Sequence, residues 1–184
     1  IEKTRAMARE LATKGHEAEG RAVDASDPES IARLVTDVEQ EQGSIDVLHY
    51  NAASIRREPL AAQPRDTIIP DLAINVGGAL VAIQAAAPKM IARGSGSILL
   101  TGGGLALNPK PEYLSLGVSK AGIRSLALAL FEGFKAQGVH VATLTVAAHV
   151  SPGSRDATLI AERFWRLHDQ PKEAWTVEDV YRSA

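Results

Sequence analysis

The chain has no cysteine among its 184 residues, which excludes disulfides, thiol catalysis and cysteine-based metal sites. It has almost no net charge. Twenty Lys and Arg stand against 22 Asp and Glu, giving −2 at pH 7, so nothing electrostatic favours nucleic acid or an anionic membrane as a partner. Five histidines, His16, His49, His140, His149 and His168, are scattered singly without metal-ligand spacing and read as surface or strand-end residues; no metal site is expected. Internal repeats, low-complexity tracts and domain boundaries are lacking too. Ile1-Glu2-Lys3-Thr4-Arg5 does not read as a signal peptide and starts without Met, which raises the expectation of further residues upstream. The most apolar segment, residues 72–88, contains Asn75, Gln84 and two glycines. It is too short and too polar for a membrane span and reads as a buried helix.

What is present suits a globular chain with a sizeable core: hydrophobic residues make up 45% and charged residues 23%. Residues 1–14 read as an alanine-rich helix closed by Gly15, and residues 17–24 as a short strand. Ser26-Asp27-Pro28-Glu29 reads as a helix start, because Ser26 or Asp27 can cap, Pro28 suits the first turn and Glu29 favours the positive dipole end. Ile31, Leu34, Val35 and Val38 form its apolar stripe, and Gly43 ends it. A strand over 45–50 runs into Asn51-Ala52-Ala53. The helix predicted over 67–93 has Pro70 near its start and a candidate kink at Pro88. Further on come a strand over 98–101, a helix over 115–136 and a strand over 139–146. The tail reads as an amphipathic helix with Phe164, Trp165 and Leu167, then a last short helix over 177–181. Alternating β and α elements imply a parallel sheet with helices on both faces.

The stretch over 97–122 is the most informative. Ser97-Ile98-Leu99-Leu100-Thr101 runs into Gly102-Gly103-Gly104. A proline-bearing loop then leads to Tyr113-Leu114-Ser115-Leu116-Gly117-Val118-Ser119-Lys120-Ala121-Gly122. A short apolar run ended by glycines is a buried strand delivering its carboxyl end to a crevice, where ligands of open α/β sheets sit. This stretch resembles the active-site segment of the short-chain dehydrogenases/reductases. Asp24, Asn51-Ala52, Asn75 and Ser119-Lys120-Ala121 fall in the family's order and spacing.

The resemblance implies a Rossmann-like, doubly wound parallel sheet forming one domain over 1–184, an NAD or NADP cofactor and a small carbonyl or alcohol substrate. The family's catalytic tyrosine lies one helical turn before the lysine. That position is Leu116, and the position of the family's serine, thirteen residues earlier, is Gly103. Lys120 is in place: in the family its ammonium holds the nicotinamide ribose and lowers the tyrosine pKa. Asn75 matches a helix Asn that binds a water and relays protons to the lysine; Asp24 matches a contact to the adenine amino group. In Tyr50-Asn51-Ala52-Ala53 the middle pair of the family's Asn-Asn-Ala-Gly turn is kept, and Ala53 stays small beside the ribose. Each has an ordinary alternative: a satisfied core amide for Asn75, a helix-entry cap for Asp24, a plain turn at 50–53, a solvated lysine at 120. Tyr113 and Thr101 are the nearest substitutes for the missing hydroxyls, and Gly102-Gly103-Gly104 would leave room for a ligand. Val146-Ala147 stands where the family has Pro-Gly.

In the family's strand order, 3-2-1-4-5-6-7, two strands would lie between 17–24 and 45–50, a gap about 10 Å wide, and the last strand is not evident either. The expected function is therefore an NAD(P)-dependent oxidoreductase with an altered site. Its catalytic residues are expected to be Lys120 and Asn75, and its cofactor contacts Asp24, Asn51, Ala52, Ala53, Thr101 and Lys120. A catalytically inactive nucleotide-binding or structural subunit is the alternative. The expected assembly is a homodimer or homotetramer in the cytoplasm.

Overall fold

A computed structural model describes residues 2–183. Four parallel strands, β1 (Val47–Tyr50), β2 (Gly96–Gly103), β3 (Val139–Ala147) and β4 (Glu178–Arg182), form one sheet in the order β1-β2-β3-β4. Register runs from Leu48 beside Ile98 to Ile98 beside Val141, and from Thr143 to Glu178. α1 (Glu2–Thr13) and α2 (Pro28–Gln42) precede the sheet. α3 (Arg65–Leu72), a π-turn (Ala73–Gly77) and α4 (Gly78–Arg93) join β1 to β2. α5 (Leu114–Ala136) joins β2 to β3, and α6 (Arg155–His168) joins β3 to β4. The expected doubly wound α/β sheet is what forms, because alternate strand residues feed two separate cores.

On one face, Ile98, Leu100, Val139 and Val141 pack against Ala79, Ile83, Ala86 and Met90 of α4 and Ile123 and Ala127 of α5, with Val35 of α2 behind them. On the other face, Leu99, Ala142 and Leu144 meet Phe164 and Leu167 of α6 and Tyr181 of β4. α2 starts as expected: the Asp27 side chain accepts from the Glu29 N–H with Pro28 in the first turn, and Gly43 at φ 86° closes it.

Several elements differ from the sequence reading. Residues 177–181 do not continue as a helix: 178–182 are β4, a last strand beside β3. Val180 and Tyr181 have the β-branched and aromatic shapes a pleated surface takes, and Tyr181 is buried there. Residues 17–24 form no strand. β1 is an edge of the sheet among the described residues, and an extended segment without a partner has no ladder to join. The predicted 67–93 helix starts earlier, at Arg65, and is interrupted around Asn75 by the π-turn; it continues through Pro88. Trp165 lies on the outer side of α6, 66% exposed. His140 is fully buried on β3, its ring stacked on Trp175 at 4.8 Å. Residues 65–93 and α5 are each long and apolar enough to cross a membrane by length and composition alone, yet in this fold their apolar sides form the first core.

Candidate functional site

Lys120 sits two turns into α5 and leans over the carboxyl end of β2. Its Nζ donates to the Thr101 carbonyl at 2.7 Å, and among the described residues no carboxylate pairs with it. Burial alone pushes its pKa below the usual lysine value. The lysine stem explains Gly103: a Cβ there would lie 3.0 Å from Lys120 Cγ and 3.2 Å from Cδ. Gly102 is equally hemmed in, with the Thr143 hydroxyl 2.8 Å from any Cβ. The glycine run therefore does not open a vacancy; it lets the lysine stem and two threonines pack against the strand. Leu116, one turn before Lys120, is 7% exposed. The Thr101 hydroxyl is held by His49 Nε2 at 3.0 Å, and His49 rests on the Phe164 ring at 4.3 Å. Burial lowers the His49 pKa, favouring the neutral imidazole.

Asn75 is 3% exposed and fully engaged. Its Oδ1 accepts from the Ser54 N–H at 2.5 Å, and its Nδ2 donates to the Ser54 carbonyl at 3.0 Å and the Ser119 hydroxyl at 3.3 Å. It thus pins the loop after β1 to the residue beside Lys120. The Ser119 hydroxyl in turn donates to the Ser115 carbonyl at 2.7 Å.

Next to it lies a polar cluster the sequence did not announce. Asp71, 2% exposed, accepts from Arg56 Nε at 2.8 Å, the Ser54 hydroxyl at 2.7 Å, Gln63 Nε2 at 3.2 Å and the Ser115 hydroxyl at 3.4 Å. The Arg56 guanidinium, outweighing burial, holds the Asp71 carboxyl below the usual range. A parallel bridge between Glu58 and Tyr113 joins the same loop to the start of α5, and Arg57 lies over the Tyr113 ring at 5.8 Å. Tyr113 stands at the N-cap of α5. Ser54, Arg56 and Asp71 look like ordinary loop and helix residues in sequence; only their convergence on one carboxylate sets them apart.

The remaining expected contacts lie around this centre. Asn51, Ala52 and Ala53 are exposed at the end of β1. Asp24 is exposed before α2, where its Oδ1 accepts from the Ser26 N–H at 2.8 Å and hydroxyl at 2.6 Å, bonds that lower its pKa. It has the geometry of a helix-entry Asp, with Oδ2 outside these bonds.

A parallel sheet with a lysine from the following helix at its carboxyl edge defines the class, and comparison with known proteins gives the family. The short chain dehydrogenase model matches residues 1–158; the chain belongs to this family. An oxidoreductase of Sarocladium schorii is 31% identical over 139 residues, covering 74% of this chain and 56% of its own. A fatty acyl-CoA reductase of Mycobacterium tuberculosis is 32% identical over 142 residues, covering 76% and 48%. The chain spans about half the length of the curated relatives it matches. Among solved structures, a metagenomic short-chain oxidoreductase in complex with NADP superposes with a TM-score of 0.91 at 27% identity, covering all of this chain and 82% of the other.

Proposed function

We propose that the chain is the catalytic-edge portion of an NAD(P)-dependent oxidoreductase whose acid–base centre is altered, acting on a small carbonyl or alcohol. The observation that carries the reading is Lys120: a half-buried ammonium with a single backbone acceptor at the mouth of the sheet. One of its three N–H groups is used by Thr101, leaving two for vicinal hydroxyls of a ribose. The donor set fits a dinucleotide. Asn51, Ala52 and Ala53 offer a small, exposed strand end for close backbone approach, and Asp24 offers a carboxylate oxygen to an exocyclic amine. The nicotinamide supplies the hydride when bound. The protein's part is position and charge: Lys120 and Thr101 hold the ribose end, and Asn75 keeps the loop after β1 in register with α5.

A second reading, a nucleotide-binding or structural subunit without turnover, draws on Leu116 and Gly103. A leucine and a lysine stem occupy the places where the family carries its tyrosine and serine, so the two hydroxyls that the family uses on a carbonyl oxygen are replaced. Self-association into a homodimer or homotetramer belongs to both readings, supported by Leu80 of α4 and Val118 and Leu128 of α5, which lie exposed.

Thermal unfolding with NADPH and with NADH separates them. At a hundredfold excess over Kd, binding to the native state raises Tm by about 5–10 °C. A rise with turnover of carbonyl compounds supports the enzyme; a rise without turnover supports the subunit; no rise with either nucleotide sinks the nucleotide reading.

A further inference from the structure

We propose that Tyr50 is a positioning residue: its hydroxyl latches the π-turn that presents Asn75, and so couples the α2 entry to the Lys120 side of the site. The functional half of this inference rests on the nucleotide reading above; the latch itself does not.

In an α-helix the Ile74 carbonyl would receive the Gly78 N–H. Here the Gly78 N–H reaches one residue further back, to Ala73, and the Ile74 carbonyl takes the Tyr50 hydroxyl at 2.5 Å instead. π-turns are rare and leave backbone groups out of the α-helical ladder; a phenol from the neighbouring strand satisfies this one. Gly78 makes the arrangement possible. A Cβ there would overlap the Tyr50 hydroxyl and crowd the Ala25 carbonyl at 2.9 Å and Ile31 Cδ1 at 3.1 Å. The phenol therefore sits where the Asp24–Ser26 entry to α2, the end of β1 and the π-turn meet. Burial raises the Tyr50 pKa, keeping the hydroxyl a donor. One residue past the latched carbonyl, Asn75 grips Ser54 and Ser119.

Tyr50→Phe keeps the ring and removes only the donor. Amide hydrogen exchange over residues 73–78 of the nucleotide-free protein is expected to quicken about fivefold or more, with the sheet and the rest of α5 unchanged. Gly78→Ala is expected to quicken it as well, and to do so by less in the Tyr50→Phe background, where only the crowding against the Ala25 carbonyl and Ile31 remains. The NADPH Kd is expected to rise by a similar factor in Tyr50→Phe, a change that a ring merely filling space would not produce. Unchanged exchange over 73–78 in Tyr50→Phe, or fully additive effects of the two substitutions, overturns the latch. Failure of the wild type to bind NADPH would defeat the nucleotide reading while the exchange result still decides the latch.

Discussion

At the carboxyl ends of the strands, two polar regions share the start of α5 and are built in opposite ways. Around Asp71, a carboxylate is met by a guanidinium, two hydroxyls and an amide, from the loop after β1 and from the start of α5. Around Lys120, a half-buried cation lies against a glycine and a strand end with one carbonyl for company. The first arrangement satisfies itself and holds loop to helix. The second leaves hydrogen-bonding capacity unspent and a charge partly desolvated, and it is on these two features that the proposed nucleotide reading rests. The contrast also divides what each region does for the other: the Asp71 cluster fixes Ser54 and Ser115, and the Lys120 side takes its geometry from residues one step along, Ser119 and Leu116.

Breaking the satisfied region should cost most. Asp71→Ala leaves the Ser54 and Ser115 hydroxyls and the Gln63 amide without their shared acceptor and Arg56 with Glu58 alone at 3.5 Å, and is expected to lower stability by about 3 kcal/mol, read as a fall in urea midpoint. The loss depends on pH. Because Arg56 holds the folded carboxyl below the usual range, its contribution is complete above the unfolded value near 4 and fades as pH drops through the lower folded value. The gap between wild type and Asp71→Ala should therefore close on acidification below about pH 4.

Restoring chemistry to the unsatisfied region comes next. Gly103→Ser with Leu116→Tyr supplies both family hydroxyls, and carbonyl reduction with NADPH is expected to rise about a hundredfold over the wild type. A serine Cβ requires the Lys120 stem to yield by a few tenths of an ångström, which a flexible lysine can do. The double variant sharpens the comparison, since a similar gain from Gly103→Ser alone would mean that position 116 carries no proton-transfer role.

The smallest effect separates ligand from fold. Lys120→Met removes the ribose donor and is expected to weaken NADPH about tenfold. It should at the same time leave the free protein as stable as the wild type or slightly more stable. The folded pKa of Lys120 is depressed by burial, so the charged form burdens the fold at neutral pH. That burden is relieved as pH rises toward the unfolded lysine value near 10.4. The stability gain in Lys120→Met should accordingly shrink in alkali.

Most of the scaffold was legible because its signals are local. Asp27-Pro28-Glu29 dictates a helix start wherever it occurs, and glycines at 43 and 94 dictate ends. Apolar runs at 98–100 and 139–146 leave little choice but buried strands. The misread segments are those decided by neighbours. Residues 178–182 become a strand because β3 offers an edge, and residues 17–24 do not because none is beside them. At the proposed site, Lys120 and Asn75 are singled out by the family resemblance, and the structure brings Asn75 to Ser119, the residue adjoining Lys120. Asp71, Arg56, Ser54 and His49 could not be found, since the contacts that join them lie 15 or more positions apart. The glycine run misled for a related reason: small residues signal close approach, and sequence does not say whether a ligand or the protein's own lysine does the approaching.

Lys120 is proposed as a nucleotide anchor beside Leu116, which stands where the family has its tyrosine. An equilibrium NADPH titration of wild type and Lys120→Met, side by side at pH 7, tests this most directly. Saturable binding in the wild type, weakened about tenfold in the variant with the fold intact, is the predicted result. Equal affinity in the two proteins, or no binding in the wild type, would contradict it.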